Sequence, residues 1–302
     1  MPRSAPPAEP APGPGPTAAP APGGVTGRLP PQALFVLAAI SQYVGAALAV
    51  LLFAAVPAAG VAWLRVVAAA AVLVAWRRPW QTRWNGSRLR LTAAFGITLA
   101  LMNLAFYLAI DRLPLGTAAA IEFVGPIAVA AIGSRTRRDI FALVLAVAGV
   151  LALADVHLSG SPSGFALALA AGAFWAAYIV LGHRVAADAG LRPADGLALA
   201  MLIGAVALAP FLVVSAVPAL VDPLLLAACL AVGVASSVVP YGLEQVAMRR
   251  LARARFALLL ALLPATATVI GAIVLAQVPG LVESAGIALI VVAASLRTHV
   301  EV

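Results

Sequence analysis

Apolar stretches of membrane-spanning length, about ten of them, fill residues 33 to 297, and the basic residues crowd into alternate gaps between them. A helix needs roughly 20 mostly apolar residues to cross the hydrocarbon core. A chain that is 64% hydrophobic and 10% charged supplies that length many times over, and no water-soluble core of this size has such a composition. The spans fall at 33–53, 58–76, 89–109, 115–134, 139–156, 163–183, 195–216, 223–246, 254–276 and 281–297. An all-α integral membrane protein with ten transmembrane helices follows, nine being the count if two of the shorter stretches merge.

The chain has no lysine, so its basic residues are all arginine. With a cytoplasmic N-terminus, one side holds Arg3 and Arg28, then Arg77, Arg78, Arg83, Arg88 and Arg90, then Arg135, Arg137 and Arg138. Arg184, Arg192, Arg249, Arg250, Arg253, Arg255 and Arg297 complete that side, leaving Arg112 outside and Arg65 within the second span. The positive-inside rule then places both termini in the cytoplasm of a multi-pass protein of the inner or plasma membrane. Topology alone accounts for the formal charge of +8, so nucleic acid is not an expected partner and the lipid bilayer is.

Residues 1–31 hold 11 of the 23 prolines amid Ala and Gly. That composition cannot bury enough apolar surface to offset the entropy of ordering, so a disordered cytoplasmic tail is expected rather than a signal peptide. The single Cys229 lies inside a span, permits no intramolecular disulfide and reads as a packing residue.

Aligning Arg112 through Pro126 with Arg250 through Pro264, at an offset of 138, superposes the third and fourth spans on the eighth and ninth. Each half, 32–157 and 158–298, then has five spans, and an odd number inverts the second relative to the first. Inverted repeats are a common construction among secondary transporters. Pro126 and Pro264 each fall roughly 15 Å deep, where a proline removes a helical hydrogen bond and a broken helix often builds a site. A simple kink is the plainer alternative.

Charges within spans are costly and usually face a cavity or a partner. Arg65 and Glu122 each lie roughly 10 Å from one end of their spans, and Asn103 falls near that level. Together they could hold a zwitterion, with Arg65 taking a carboxylate and Glu122 an ammonium. The alternative is an Arg65 to Glu122 ion pair that fixes the bundle. Glu122 is also a candidate carrier of a coupling proton. Glu244, near the cytoplasmic end of the eighth span, reads either as an interfacial pairing residue or as a gate residue. Among aromatics within spans, Tyr43, Trp175, Tyr178 and Tyr241, lining a cavity competes with packing.

The run Ala118 to Ala130, Ala-Ala-Ala-Ile-Glu-Phe-Val-Gly-Pro-Ile-Ala-Val-Ala, and the run Val239 to Leu251, Val-Pro-Tyr-Gly-Leu-Glu-Gln-Val-Ala-Met-Arg-Arg-Leu, resemble the EamA-type transporters of the drug/metabolite transporter superfamily. The threonine/homoserine exporter branch is the most similar. The resemblance covers residues 33 to 297 and implies two inverted five-helix halves around a central cavity, with efflux of small metabolites, typically by proton exchange. Its motif positions fall on Glu122, Gly125 and Pro126 and on Pro240, Tyr241 and Glu244. Two acids of that branch are absent. Leu262-Leu263-Pro264-Ala265 stands for the usual Leu-Glu-Pro-Ala, and Leu275-Ala276-Gln277 for Leu-Gly-Glu.

The expected function is therefore export of small metabolites, amino acids of the threonine/homoserine type, by alternating access and with protons as candidate co-substrates. Substrate-binding residues would be Glu122, Arg65, Asn103, Tyr43, Trp175 and Tyr241. Gly125, Pro126, Pro264, Pro240 and Glu244 would break helices or gate. The missing acids keep a polyspecific drug or cationic-compound exporter as an alternative, and a receptor or scaffold without transport is an alternative of another class. An enzyme is not expected, because His157, His183 and His299 fall near span ends or in a tail and no HExxH or GxSxG motif occurs. No cofactor or metal is expected, and a homodimer is a candidate assembly.

Overall fold

The computed structural model describes residues 29–133, 136–157, 161–188, 190–248 and 259–296. Most of the proline-rich tail, the arginines at 135, 249, 250, 253, 255 and 297, and the start of the ninth expected span lie outside them. The described residues form helices α1 (Pro31–Leu52), α2 (Ala58–Arg77), α3 (Gly86–Ile110), α4 (Leu115–Glu122), α5 (Val124–Gly133) and α6 (Arg137–His157). There follow α7 (Pro162–Ala186), α8 (Pro193–Val221), α9 (Pro223–Gly233), a π-helical turn (Val234–Val238), α10 (Val239–Met248), α11 (Leu263–Leu275) and α12 (Leu281–Leu296). No strand occurs among the described residues.

Local chemistry sets the starts. Proline occupies the first turn of α1, α7, α8, α9 and α11, where its missing N–H has no intrahelical partner to lose. Asn85 caps α3 by accepting from the Arg88 N–H at 2.8 Å, and Asp222 caps α9 through the N–H groups of Leu224 and Leu225. Arg78 and Ala276 end α2 and α11 in the left-handed region, at φ 50° and 55°. That conformation costs an L-residue roughly 1 kcal/mol or more, and Ala276 bears it where the resembled motif has glycine.

Six described segments, Pro31–Leu52, Ala58–Arg77, Gly86–Ile110, Pro162–Ala186, Pro193–Val221 and Pro223–Glu244, are long and apolar enough to cross a membrane. Leu115–Val129, Ile140–Leu153, Leu263–Leu275 and Leu281–Leu296 are shorter apolar helices. The expected fourth span is thus not one rod, because α4 and α5 part at Phe123. Pro126 lies three residues beyond, in the first turn of α5, and cannot donate to the Glu122 carbonyl. Pro264 likewise stands in the first turn of α11, just after a break at Ala261 and Leu262.

Packing crosses between the halves. The chief pairs are α3 with α7, α2 with α8, α6 with α12, α3 with α8 and α1 with α10. Alpha-helices 4 and 5 rest on α7, as α11 rests on α1, and α4 meets α11. Small residues permit these approaches. At Gly125 a Cβ would stand 1.9 Å from the Gly172 carbonyl oxygen, so backbone meets backbone where α5 leaves the break.

Candidate functional site

Arg65 lies midway along α2 and is 8% exposed. Its Nε donates to Ser237 Oγ at 2.9 Å and its Nη2 to the Ser236 carbonyl at 3.0 Å. Pro240 makes that carbonyl available, because it has no N–H to return to the residue four positions earlier. The π-turn carries the resulting distortion, as π-bulges at functional sites commonly do. Gly233 lets this turn lie against α2, where a Cβ would come within 3.0 Å of the Arg65 backbone. The guanidinium also sits 5.1 Å above the Tyr107 ring.

Glu122 ends α4, 8% exposed, in electrostatic reach of Arg65 but without a direct ion pair to it. The sequence alternative of a simple Arg65–Glu122 pair therefore fails. The freed carbonyl and a serine hydroxyl hold the guanidinium instead. Tyr43 of α1 lies among Glu122, Glu244 and Arg65, and Tyr241 among Glu244, Arg65 and the hydroxyl of Tyr178. Five of the expected residues, Arg65, Glu122, Tyr43, Tyr241 and Glu244, are thus drawn from four helices into one polar neighbourhood. Glu244 shares that neighbourhood.

The others take different positions. Asn103 is buried, but its Nδ2 donates at 2.8 Å to Leu99 of its own helix. Trp175 is half-buried and meets Phe123, at the α4–α5 break, edge-on with ring centroids 5.3 Å apart. Gly125 and Pro126 shape that break, Pro240 shapes the π-turn, and buried Pro264 opens α11. Leu263, where the resembled motif carries an acid, is 3% exposed and packed in the main apolar core.

Beside the cluster a cavity of about 600 Å³ is lined by Leu73, Arg77, Phe95, Tyr178, Val238 and Tyr241 among others. That volume falls within the usual range of small-molecule sites, roughly 300–1,000 Å³. Phe95 and Tyr178 stack on each other in its wall, with ring centroids 5.0 Å apart. At its rim Arg77 pairs with Asp195 at 2.9 Å, and Thr82 donates to the same carboxylate. A polar-ended space near a buried arginine, two carboxylates and three tyrosines can accept a small solute bearing both charges.

Sequence reasoning missed Ser236, Ser237 and Tyr107. The four-residue spacing from Ser236 to Pro240 was the available signal for the first. Nothing in the sequence pairs Tyr107 with Arg65, and its hydroxyl is buried without a partner. Glu283, 7% exposed and accepting from the Thr117 hydroxyl, was also missed.

Residues 162–298 match the model of the EamA-like transporter family. The threonine/homoserine exporter RhtA of Salmonella typhimurium is 40% identical over 260 residues, covering 84% of this chain and 87% of the relative. The protein of the same name in Escherichia coli strain K12 is 38% identical over 250 residues, covering 82% and 84%. A solved crystal structure of a protein with 20% sequence identity superposes with a TM-score of 0.56, over 88% of this chain and 96% of that one, and speaks to the fold alone. The relatives are named as exporters, not enzymes. This chain belongs to the EamA-like transporter family.

Proposed function

We propose that this protein is a secondary transporter of the cell membrane that exports small amino acids of the threonine/homoserine type by alternating access. The observation that carries the reading is the 40% identity, over 84% of the chain, to proteins named threonine/homoserine exporter. The 600 Å³ cavity, which meets the cluster of Arg65, Glu122 and Glu244 through Tyr241, supplies a chemistry suited to such a solute. Arg65 takes the α-carboxylate with the guanidinium N–H groups left over from Ser236 and Ser237. Glu122 takes the ammonium and, on release, is the carrier of an exchanged proton. Tyr43 and Tyr241 orient the solute between the two ends.

The architecture in this reading is ten spans in two inverted halves, 32–157 and 158–298, with both termini cytoplasmic. The helix breaks at Phe123 and at Ala261 lie 138 residues apart, the offset of the sequence repeat. Pairing the halves also converts the contact of α3 with α7 into that of α10 with α1, and the contact of α5 with α7 into that of α11 with α1. Both regularities support the inverted repeat. The apolar environment of Leu263 favours a second reading, in which the solute is more apolar or cationic.

Cells expressing the protein or its Glu122→Gln variant at matched levels, preloaded with threonine, homoserine and a wider amino-acid and drug panel, provide the test. The parent is expected to export threonine or homoserine and Glu122→Gln to lose at least tenfold, since a lost hydrogen bond to a charged group is worth about 1.5–3 kcal/mol. Export of only cationic drugs would establish the second reading, and export indifferent to Glu122→Gln would remove Glu122 from the site.

A further inference from the structure

Glu122 is one end of a short, fully buried helix whose other end is tied down far from the cavity. Helix α4 has eight residues, all buried, and is about 12 Å long. Because α2 runs from Ala58 to Arg77 and α3 returns from Gly86 to Ile110, α4 starts at the end of the bundle opposite Arg77. There the Leu115 N–H donates to Gln277 Oε1 at 2.9 Å, and the Thr117 hydroxyl donates to the buried carboxylate of Glu283. Gly116 lets α4 press against α11, since a Cβ would stand 2.4 Å from the Thr268 hydroxyl.

These ties join the first turn of α4 to the end of α11 and the start of α12. A separate cavity of about 220 Å³ adjoins them, lined by Thr117, Thr268, Gln277 and Glu283 among others. A polar space of that size admits water, so Glu283 and Thr117 can part without leaving either group dry. At the far end, α4 parts from α5 at the Phe123 turn, the one point along the pair where the helix can bend. A buried eight-residue helix moves as a rod, so displacement of its first turn displaces its last residue.

We propose that Thr117, Gln277 and Glu283 form the lock at the Thr117 end of the transport path, and that they are positioning residues for Glu122, acting on it through α4. While the lock is closed, the central cluster communicates with the Arg77 side. Opening it swings α4 about Phe123, moves Glu122 away from Arg65 and admits solvent from the Thr117 side.

The proposal rests on the exporter reading, but its first test does not. A Cys229→Ala background carrying Asn103→Cys is labelled with a membrane-impermeant maleimide, separately on intact cells and inside-out vesicles. A Val278→Cys control, 81% exposed in the loop after α11, identifies the Thr117 side. Glu283→Ala is expected to raise labelling of Asn103→Cys from that side about threefold or more, by shifting the population toward the open state. Glu283→Gln keeps an acceptor for Thr117 and should leave labelling unchanged. No rise with Glu283→Ala, or an equal rise with Glu283→Gln, overturns the lock.

A second test covers the case in which Glu283→Ala fails to fold. Thr117→Cys with Glu283→Cys is joined by a short bis-methanethiosulfonate in cells exporting whichever solute the parent exports. Efflux should stop on cross-linking and return with reductant, and continued efflux from fully cross-linked protein overturns the lock. A parent that exports neither threonine nor homoserine defeats the substrate reading alone, because the labelling still decides the lock.

Discussion

Arg65 shows how one side chain can be both structural and available. A guanidinium has five N–H donors in a fixed fork, and here Nε and Nη2 are directed to Ser237 and Ser236. The bonds hold its plane against the Tyr107 face and leave N–H groups for an anion. Lysine keeps the charge but has no fork, so it cannot satisfy the π-turn and a carboxylate together. Arg65→Lys is expected to lower the initial rate of amino-acid efflux roughly 10- to 100-fold, the equivalent of one charged hydrogen bond. An unchanged rate at matched expression would show that the guanidinium geometry is irrelevant to transport. The cost of a charge inside a span made Arg65 legible in the sequence, whereas its partners were not. Ser236 and Ser237 look like ordinary small packing residues, and the carbonyl that binds Arg65 exists only because Pro240 is four positions away.

Elements were legible to the extent that length and hydropathy define them. The fourth span reads as one stretch of 115–134 because its residues are mostly apolar and Glu122 is its one charge, and hydropathy does not register a turn at Phe123. Pro126 signalled the break, and Gly125 fixes its position by lying against the Gly172 carbonyl. The π-turn had no such signature, since a proline in a helix can equally produce a kink. Between elements, polar ties at the Arg77 end do what apolar packing does within the bundle. Arg88, in the first turns of α3, holds Asp188, after α7, through bonds at 2.9 and 3.0 Å, and the Gly190 N–H adds a third. The Arg88 bonds, then that of Gly190, hold the Asp188 carboxyl below its usual value. A depressed folded-state pKa gives stability that is present above the unfolded value, near 3.9, and lost as the pH falls through the folded one. In detergent, the parent should therefore melt above Asp188→Asn at pH 6, and the gap should close as the pH is taken below about 4. A gap independent of pH would mean that the amide disrupts the loop by shape alone.

For the whole molecule, the distribution of arginine predicts which way the bundle faces. Arg77, Arg78, Arg83, Arg88 and Arg90 run from the last residue of α2 to the first turns of α3, and Arg184 and Arg192 lie in the last turn of α7 and just before α8. Arg112 lies at the opposite end, bonded to Asp111 and to the Leu108 carbonyl, so its charge is partly neutralised. The positive-inside rule predicts that the arginine-rich Arg77 end, with its 600 Å³ cavity, faces the cytoplasm and that the Thr117 end faces outward. In that orientation solute would enter from the side on which it is made, as export requires. Parity supplies the decisive check. Ten spans return the chain to its starting side, and nine do not. Green fluorescent protein fused after Val302 should fluoresce and alkaline phosphatase fused there should be inactive, while a phosphatase fused after Arg112 should be active. Active phosphatase after both Arg112 and Val302 would mean an odd number of spans, which removes the inverted second half. An inactive one after Arg112 would turn the bundle over, and the same cavity would then serve uptake.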